Sequence, residues 1–225
     1  MRNGRERLIA MTHLKGDTFF DGPAGRLEAI LKEPSEPATR AAIVCHPHPL
    51  FGGTMHNKVV FRIARAFQEA GFAALRFNFR GTGRSEGMHD HGHGEQDDVR
   101  AALDFMHSKY AEAELWLAGF SFGAAMALRV GCSDDRVAGM ITVGLPWSIY
   151  DFSQSGDCSK PKLFVQGSGD QFAPVGDVMK LYELVQGPKR LEIIDTADHF
   201  FQGRLAELSA AIEEYVRSRL SDAPG

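Results

Sequence analysis

Apolar runs of strand length alternate along this chain with stretches whose apolar positions return every three or four residues. The run Ala41-Ala42-Ile43-Val44-Cys45 has no polar side chain, the pattern of a strand covered on both faces in a parallel sheet. From Asn57, Val59, Val60, Ile63, Ala64 and Phe67 keep helical spacing until Gly71 stops it. Phe72 to Phe79 reads as the next strand. The acidic start Glu95-Gln96-Asp97-Asp98, whose carboxylates complement a helix dipole, opens a helix running to about Tyr110. A strand at 114–118 follows, then a small-residue helix from Ala124 to Gly131 and a strand from Val137 to Leu145. Lys162 to Gln166 and Arg190 to Asp195 read as strands, and Pro174 to Val185 and Leu205 to Leu220 as helices.

The connections carry turn chemistry. Asp17 to Phe20 and Arg26 to Lys32 flank Asp21-Gly22-Pro23-Ala24-Gly25 and predict an antiparallel hairpin. Residues 1–16, polar and mixed, read as a short β-edge or a loose start. Glu33 to Arg40 holds two prolines and forms the first loop, and Pro47 and Pro49 make His46 to Gly53 a non-helical loop. Pro146 to Pro161 is an irregular connection long enough to overhang a site. Strands alternating with helices predict an α/β fold with a mostly parallel sheet, helices on both faces and an N-terminal antiparallel hairpin, in one domain spanning 1–225. There is no internal repeat and no linker between domains.

A chain of 225 residues suits one domain that buries roughly 70–75% of its unfolded surface, so its core needs no disulfide or metal. A formal net charge of -4 provides no cationic field for a phosphate backbone, and nucleic acid is not expected as a partner. No apolar run approaches the roughly 18 residues of a membrane span, and Met1 to Gly16 lacks a continuous apolar core of the secretory type. The three cysteines, Cys45, Cys132 and Cys158, are odd in number and lack framework spacing; Cys45 and Cys132 lie in apolar surroundings. These features predict a reducing, cytoplasmic setting without membrane contact.

Candidate chemistry centres on Leu117-Ala118-Gly119-Phe120-Ser121-Phe122-Gly123-Ala124-Ala125, a strand, a sharp turn and a helix. A serine at such an apex projects its hydroxyl above the sheet, and glycines two residues away on either side remove side chains that would collide there. The helix start behind Ser121 aims free N–H groups at any oxyanion formed there. Loops at the carboxyl ends of parallel strands gather on one edge, where ligands bind. Ser121, Asp170 and His199 each follow a different expected strand and so share that edge. Asp195 ends a strand and Asp198 adjoins the histidine, so Asp170 suits the acid position better than either.

With Gly119-Phe120-Ser121-Phe122-Gly123, Gly169-Asp170, Asp198-His199, the stretch Phe77-Asn78-Phe79-Arg80-Gly81-Thr82-Gly83-Arg84-Ser85 and the His-Pro loop with Gly52-Gly53, the chain resembles the α/β-hydrolase superfamily. Its likeness is to small, cap-poor bacterial serine hydrolases, with dienelactone-hydrolase-like and prolyl-peptidase-like enzymes as broader relatives. The resemblance implies that Ser121 is the nucleophile, His199 the general base and later acid, and Asp170 the group that orients the imidazole. A hydroxyl becomes an effective nucleophile when a base takes its proton as it attacks, and histidine suits both transfers. It also implies two backbone oxyanion donors. Phe122 follows the nucleophile and supplies one. Pro47 and Pro49 have no N–H, which leaves His48 as first choice for the other, with Leu50 or Phe51 as alternatives; relatives often have His-Gly where this chain has His46-Pro47. The implied reaction is hydrolysis of small carboxylic esters or thioesters through an acyl-enzyme, without cofactor or metal. A peptidase or lactone hydrolase with the same triad is the enzymatic alternative, and a catalytically silent binding module the alternative from another class.

Other features read as structural. His89-Asp90-His91-Gly92-His93 with Glu95, and His46, His48 and His56, invite a metal reading, but His89 and His93, though four residues apart, lie in a loop stretch and not in a helical pattern, and no Cys-x-x-Cys occurs, so a solvated loop near the entrance is expected. Arg80 to Gly87 lacks the Lys-Ser/Thr of a P-loop and reads as a tight structural turn. Most of the 16 phenylalanines are core, while Phe51, Phe120 and Phe122, with Leu50, are candidates for an acyl pocket. Only Pro146 to Pro161 and Met88 to Gly94 are long enough to cover the serine, so an open site is expected.

Overall fold

A computed structural model of the chain describes residues 17–150, 152 and 155–221; the expectation for residues 1–16 lies outside the described residues. Eight strands form one sheet in the order β1-β2-β4-β3-β5-β6-β7-β8. They are β1 (Asp17–Gly22), β2 (Gly25–Lys32), β3 (Arg40–Cys45), β4 (Ala73–Phe77), β5 (Glu114–Phe120), β6 (Val137–Val143), β7 (Lys162–Gly167) and β8 (Lys189–Ile194). β1 and β2 form the expected antiparallel hairpin, β2 pairs antiparallel with β4, and every pairing from β4 through β8 is parallel.

The helices are α1 (Lys58–Glu69), α2 (His93–Lys109), α3 (Phe122–Ser133), α4 (Val175–Leu184) and α5 (Leu205–Ser221). α1 starts where Asn57 Oδ1 accepts the N–H groups of Val59, at 2.8 Å, and Val60, at 3.5 Å. The apolar strands split by parity, because successive side chains point to opposite faces. Ile43, Leu115 and Leu117 join α2, α3 and α4 in one core. Ala42, Val44, Trp116 and Ala118 join α1 and α5 in the other.

Two expectations are corrected. The His46 to Gly53 loop contains one 3-10 turn, Pro49–Phe51, because a proline at the first position of a turn lacks only an N–H that would have had no acceptor there. The cysteines are not all free: Cys132 and Cys158, Cα atoms 5.2 Å apart, form a disulfide, and Cys45 stays a buried thiol. The chain after β6 folds back over the end of α3, which brings together two cysteines that sequence spacing leaves unrelated. The cysteine argument for a reducing compartment falls with that pairing. Among the described residues, no helix is long and apolar enough to cross a membrane.

Candidate active site

β5 carries straight into the turn at Ser121, whose backbone sits at φ 55° and ψ -120° before α3 begins at Phe122. The flanking glycines are sterically required. A Cβ on Gly119 would lie 2.2 Å from the Gly123 carbonyl oxygen, and one on Gly123 would lie 2.4 Å from the Cys45 oxygen. The adjacent strand supports the turn, with the Ser121 N–H donating to the Val143 carbonyl at 2.9 Å.

Because β5, β7 and β8 are parallel, the segments leaving them emerge on one edge, and the structure brings Ser121, Asp170 and His199 together there. His199 Nε2 lies 3.0 Å from Ser121 Oγ, and His199 Nδ1 lies 2.7 Å from Asp170 Oδ2. An ionised carboxylate only accepts, so Nδ1 carries the proton and Nε2 is left to accept from the serine. Asp170 is held by further donors: its Oδ1 accepts from the N–H groups of Phe172 at 2.9 Å and Ala173 at 2.8 Å, and its Oδ2 from Gln166 Nε2 at 2.8 Å. The imidazole sits among the rings of Phe120, Phe172 and Phe200, with centroids 5.0, 5.2 and 5.3 Å away. Asp195 and Asp198 are engaged elsewhere, with Ser168 Oγ and the Gln202 N–H.

The serine opens onto a cleft of about 430 Å³ whose lining includes Pro47, His48, Phe51, Asn57, Phe122, Pro146, Ile149, Tyr150, Phe172 and Phe200. Phe122 opens α3, so its N–H has no acceptor within that helix. Of the second-donor candidates, Leu50 gives its N–H to His48 Nδ1 at 3.2 Å and Phe51 gives its N–H to the His48 carbonyl at 3.1 Å. The His48 N–H makes no hydrogen bond among the described residues.

The expected pocket residues divide. Phe51 lines the mouth, 87% exposed. Leu50 does not line the cleft and is 66% exposed, and Phe120 is wholly buried beneath the imidazole. β5 parity explains Phe120, which shares a face with Trp116 and Ala118 and so points into the α1/α5 core. The residues that sequence reasoning missed are Asn57, Ile149, Tyr150, Phe172 and Phe200. Their signals were adjacency to Asp170 and His199 for the two phenylalanines, and the length of the 146–161 connection for Ile149 and Tyr150.

The histidine loop is packed rather than solvated at His89, whose ring lies 4.9 Å from that of His48 and 5.9 Å from that of Phe122. Its Nδ1 is 2.8 Å from Glu95 Oε1 but not aligned for a hydrogen bond, and the Glu95 carboxylate accepts the N–H groups of Asp90 and Gly92. Among the described residues, no three His, Cys, Asp or Glu are grouped to hold a metal. The Arg80 turn is structural: the guanidinium and N–H of Arg80 grip the buried Asp98 carboxylate of α2 at 2.7–3.1 Å.

A mostly parallel sheet with a serine raised on a strand-turn-helix at its carboxyl edge defines an α/β hydrolase of the serine-hydrolase type. The profile of the family described as serine aminopeptidase, S33, matches residues 38–147. An α/β serine hydrolase homologue from Coxiella burnetii is 38% identical, covers 88% of this chain and 96% of its own, and superposes with a TM-score of 0.85. XC6422 from Xanthomonas campestris, an α/β serine hydrolase without lid, is 37% identical over 92% of this chain and 96% of its own, with a TM-score of 0.84. The uncharacterized protein RP471 of Rickettsia prowazekii is 35% identical over 207 residues, 88% of this chain and 87% of that protein. The chain belongs to the α/β-hydrolase superfamily.

Proposed function

We propose that the protein hydrolyses small, uncharged carboxylic esters or thioesters through a Ser121 acyl-enzyme. The observation that carries this reading is the relay Ser121 Oγ, His199, Asp170, with separations of 3.0 and 2.7 Å, at the floor of an aromatic cleft. Ser121 Oγ attacks the carbonyl carbon as its proton passes to His199 Nε2, and Asp170 stabilises the imidazolium through Nδ1. The N–H groups of Phe122 and His48 receive the oxyanion. Collapse breaks the bond to the alcohol or thiol, which leaves with the proton from Nε2. Water then attacks the acyl carbon with His199 as base, the acid departs, and Ser121 regains its proton.

The family description names an aminopeptidase, which makes peptide hydrolysis the second reading. An aminopeptidase must hold an α-ammonium, and no Asp or Glu lines the cleft among the described residues. That favours substrates uncharged beside the scissile bond, lactones included.

A fluorophosphonate probe together with a substrate panel tests the proposal. The expected result is one adduct at Ser121, absent from Ser121→Ala, with turnover of nitrophenyl butyrate and its thioester far above that of an aminoacyl anilide. Folded protein that takes no label would favour a silent binding module instead. Faster turnover of the anilide would favour the peptidase.

A further inference from the structure

His46, the residue after β3, is fully buried and uses both ring nitrogens. Its Nδ1 lies 2.6 Å from the carbonyl oxygen of Pro47, and its Nε2 lies 3.0 Å from the backbone N of Phe79, two residues past the end of β4. A carbonyl only accepts and an N–H only donates, so Nδ1 carries the proton and Nε2 is the acceptor. Burial pushes the imidazole pKa down to about 4, so the ring is neutral and this arrangement persists at physiological pH.

The Pro47 carbonyl belongs to the same peptide plane as the His48 N–H. In a planar trans peptide the two groups point in opposite directions, so fixing the oxygen fixes the direction of the N–H. A second contact closes on the same oxygen. A Cβ on Gly53 would lie 2.0 Å from the Pro47 oxygen, so only glycine allows the chain to press there, and the Gly53 N–H in turn donates to the His48 carbonyl at 3.1 Å. The Pro47 oxygen is held between an imidazole and a glycine backbone.

We infer that His46 is a positioning residue, whose hydrogen bond to the Pro47 carbonyl holds the Pro47–His48 peptide in the orientation that presents the His48 N–H to the reaction's oxyanion. The inference rests on the serine-hydrolase reading given above. It assigns a task to a histidine that neither attacks, transfers protons nor lines the cleft. It also explains how a His-Pro loop, with two of its N–H groups deleted by proline, keeps one donor in register.

Two substitutions separate positioning from structural support. His46→Asn keeps an amide donor near Nδ1, within reach of the Pro47 oxygen, and gives up the Phe79 bond. His46→Gln keeps an amide near Nε2 for Phe79 and gives up the Pro47 bond. The expected result is kcat within about tenfold of the parent for His46→Asn, and a loss of roughly 100-fold for His46→Gln, the size of losing an oxyanion donor. KM should stay within about threefold in both, because oxyanion contacts form in the transition state. Affinity for a trifluoromethyl ketone, whose adduct carries the oxyanion, should fall in step with kcat. Equal kcat values in the two variants, activity that tracks thermal stability, or a loss carried by KM would each overturn the inference. Parent protein that neither labels at Ser121 nor turns over esters refutes the hydrolase reading itself and this inference with it.

Discussion

The buried His46 imidazole also ties stability to pH. The unfolded chain takes up this proton near the ordinary histidine value of about 6.5, whereas the folded protein resists it until about 4. Between those values the unfolded state binds more protons, so stability falls as pH falls, by about 1.4 kcal/mol per unit. Urea unfolding midpoints of the parent and His46→Asn, followed from pH 7 to pH 5, should diverge in slope: the parent loses about 2 kcal/mol more between 6.5 and 5. Parallel slopes would mean that this imidazole titrates normally. Residue by residue, what the sequence disclosed had a local steric or chemical cause. Gly119 and Gly123 are dictated by contacts of 2.2 and 2.4 Å, and the order of Ser121, Asp170 and His199 by strand ends. Phe172 and Phe200 escaped notice because composition does not separate a cleft-lining phenylalanine from a core one. The role of His46 escaped because its partners lie in the adjoining residue and in the segment that leaves β4.

At the scale of elements, the described residues between β6 and β7 are tied to α3. Arg129 of α3 lies 5.6 Å from the ring centroids of both Tyr150 and Phe152. Lys160 Nζ donates to the carbonyls of Gly131 and Asp134 at the end of α3, and the Cys132–Cys158 disulfide joins the same two pieces. The length of this connection was legible in the sequence; its path was not, since cysteine spacing carries no information about which surface a loop crosses. On the chain-entropy view, a bridge spanning 26 residues contributes up to about 3–4 kcal/mol by restricting the unfolded chain. Cys132→Ser with Cys158→Ser should therefore lower the urea midpoint by an amount of that order, and a reductant should do the same to the parent. Ile149 and Tyr150 line the cleft, whereas Ser121, Asp170 and His199 stand on other elements. The kinetic effect should then fall on KM, with kcat within about twofold. A collapse of kcat with KM preserved would show that the strap reaches the relay itself.

For the whole molecule, the parallel run from β3 through β8 sets both where the cleft lies and how far it extends. The relay stands at the carboxyl edge, α3 backs the serine, and Pro146, Ile149 and Tyr150 join Phe51 of the 3-10 turn in lining a cleft of about 430 Å³. The exposed rings at its opening, Phe51 at 87%, Phe200 at 54% and Phe172 at 52%, offer apolar contact at the mouth, and among the described residues nothing roofs it. A methylene taken fully from water contributes about 0.8 kcal/mol, roughly fourfold in kcat/KM when the contact is made in the transition state. Each carbon added to the acyl chain should give at most that factor while it remains inside the cleft. Once the chain passes the rim, one side faces water and the gain stops. In a nitrophenyl ester series, kcat/KM should rise over the short acyl chains and then level off or fall. A kcat/KM that kept rising severalfold with each added pair of carbons as far as the dodecanoyl ester would require about 0.8 kcal/mol per methylene from carbons beyond the rim, and would mean that a covering segment closes over the bound substrate.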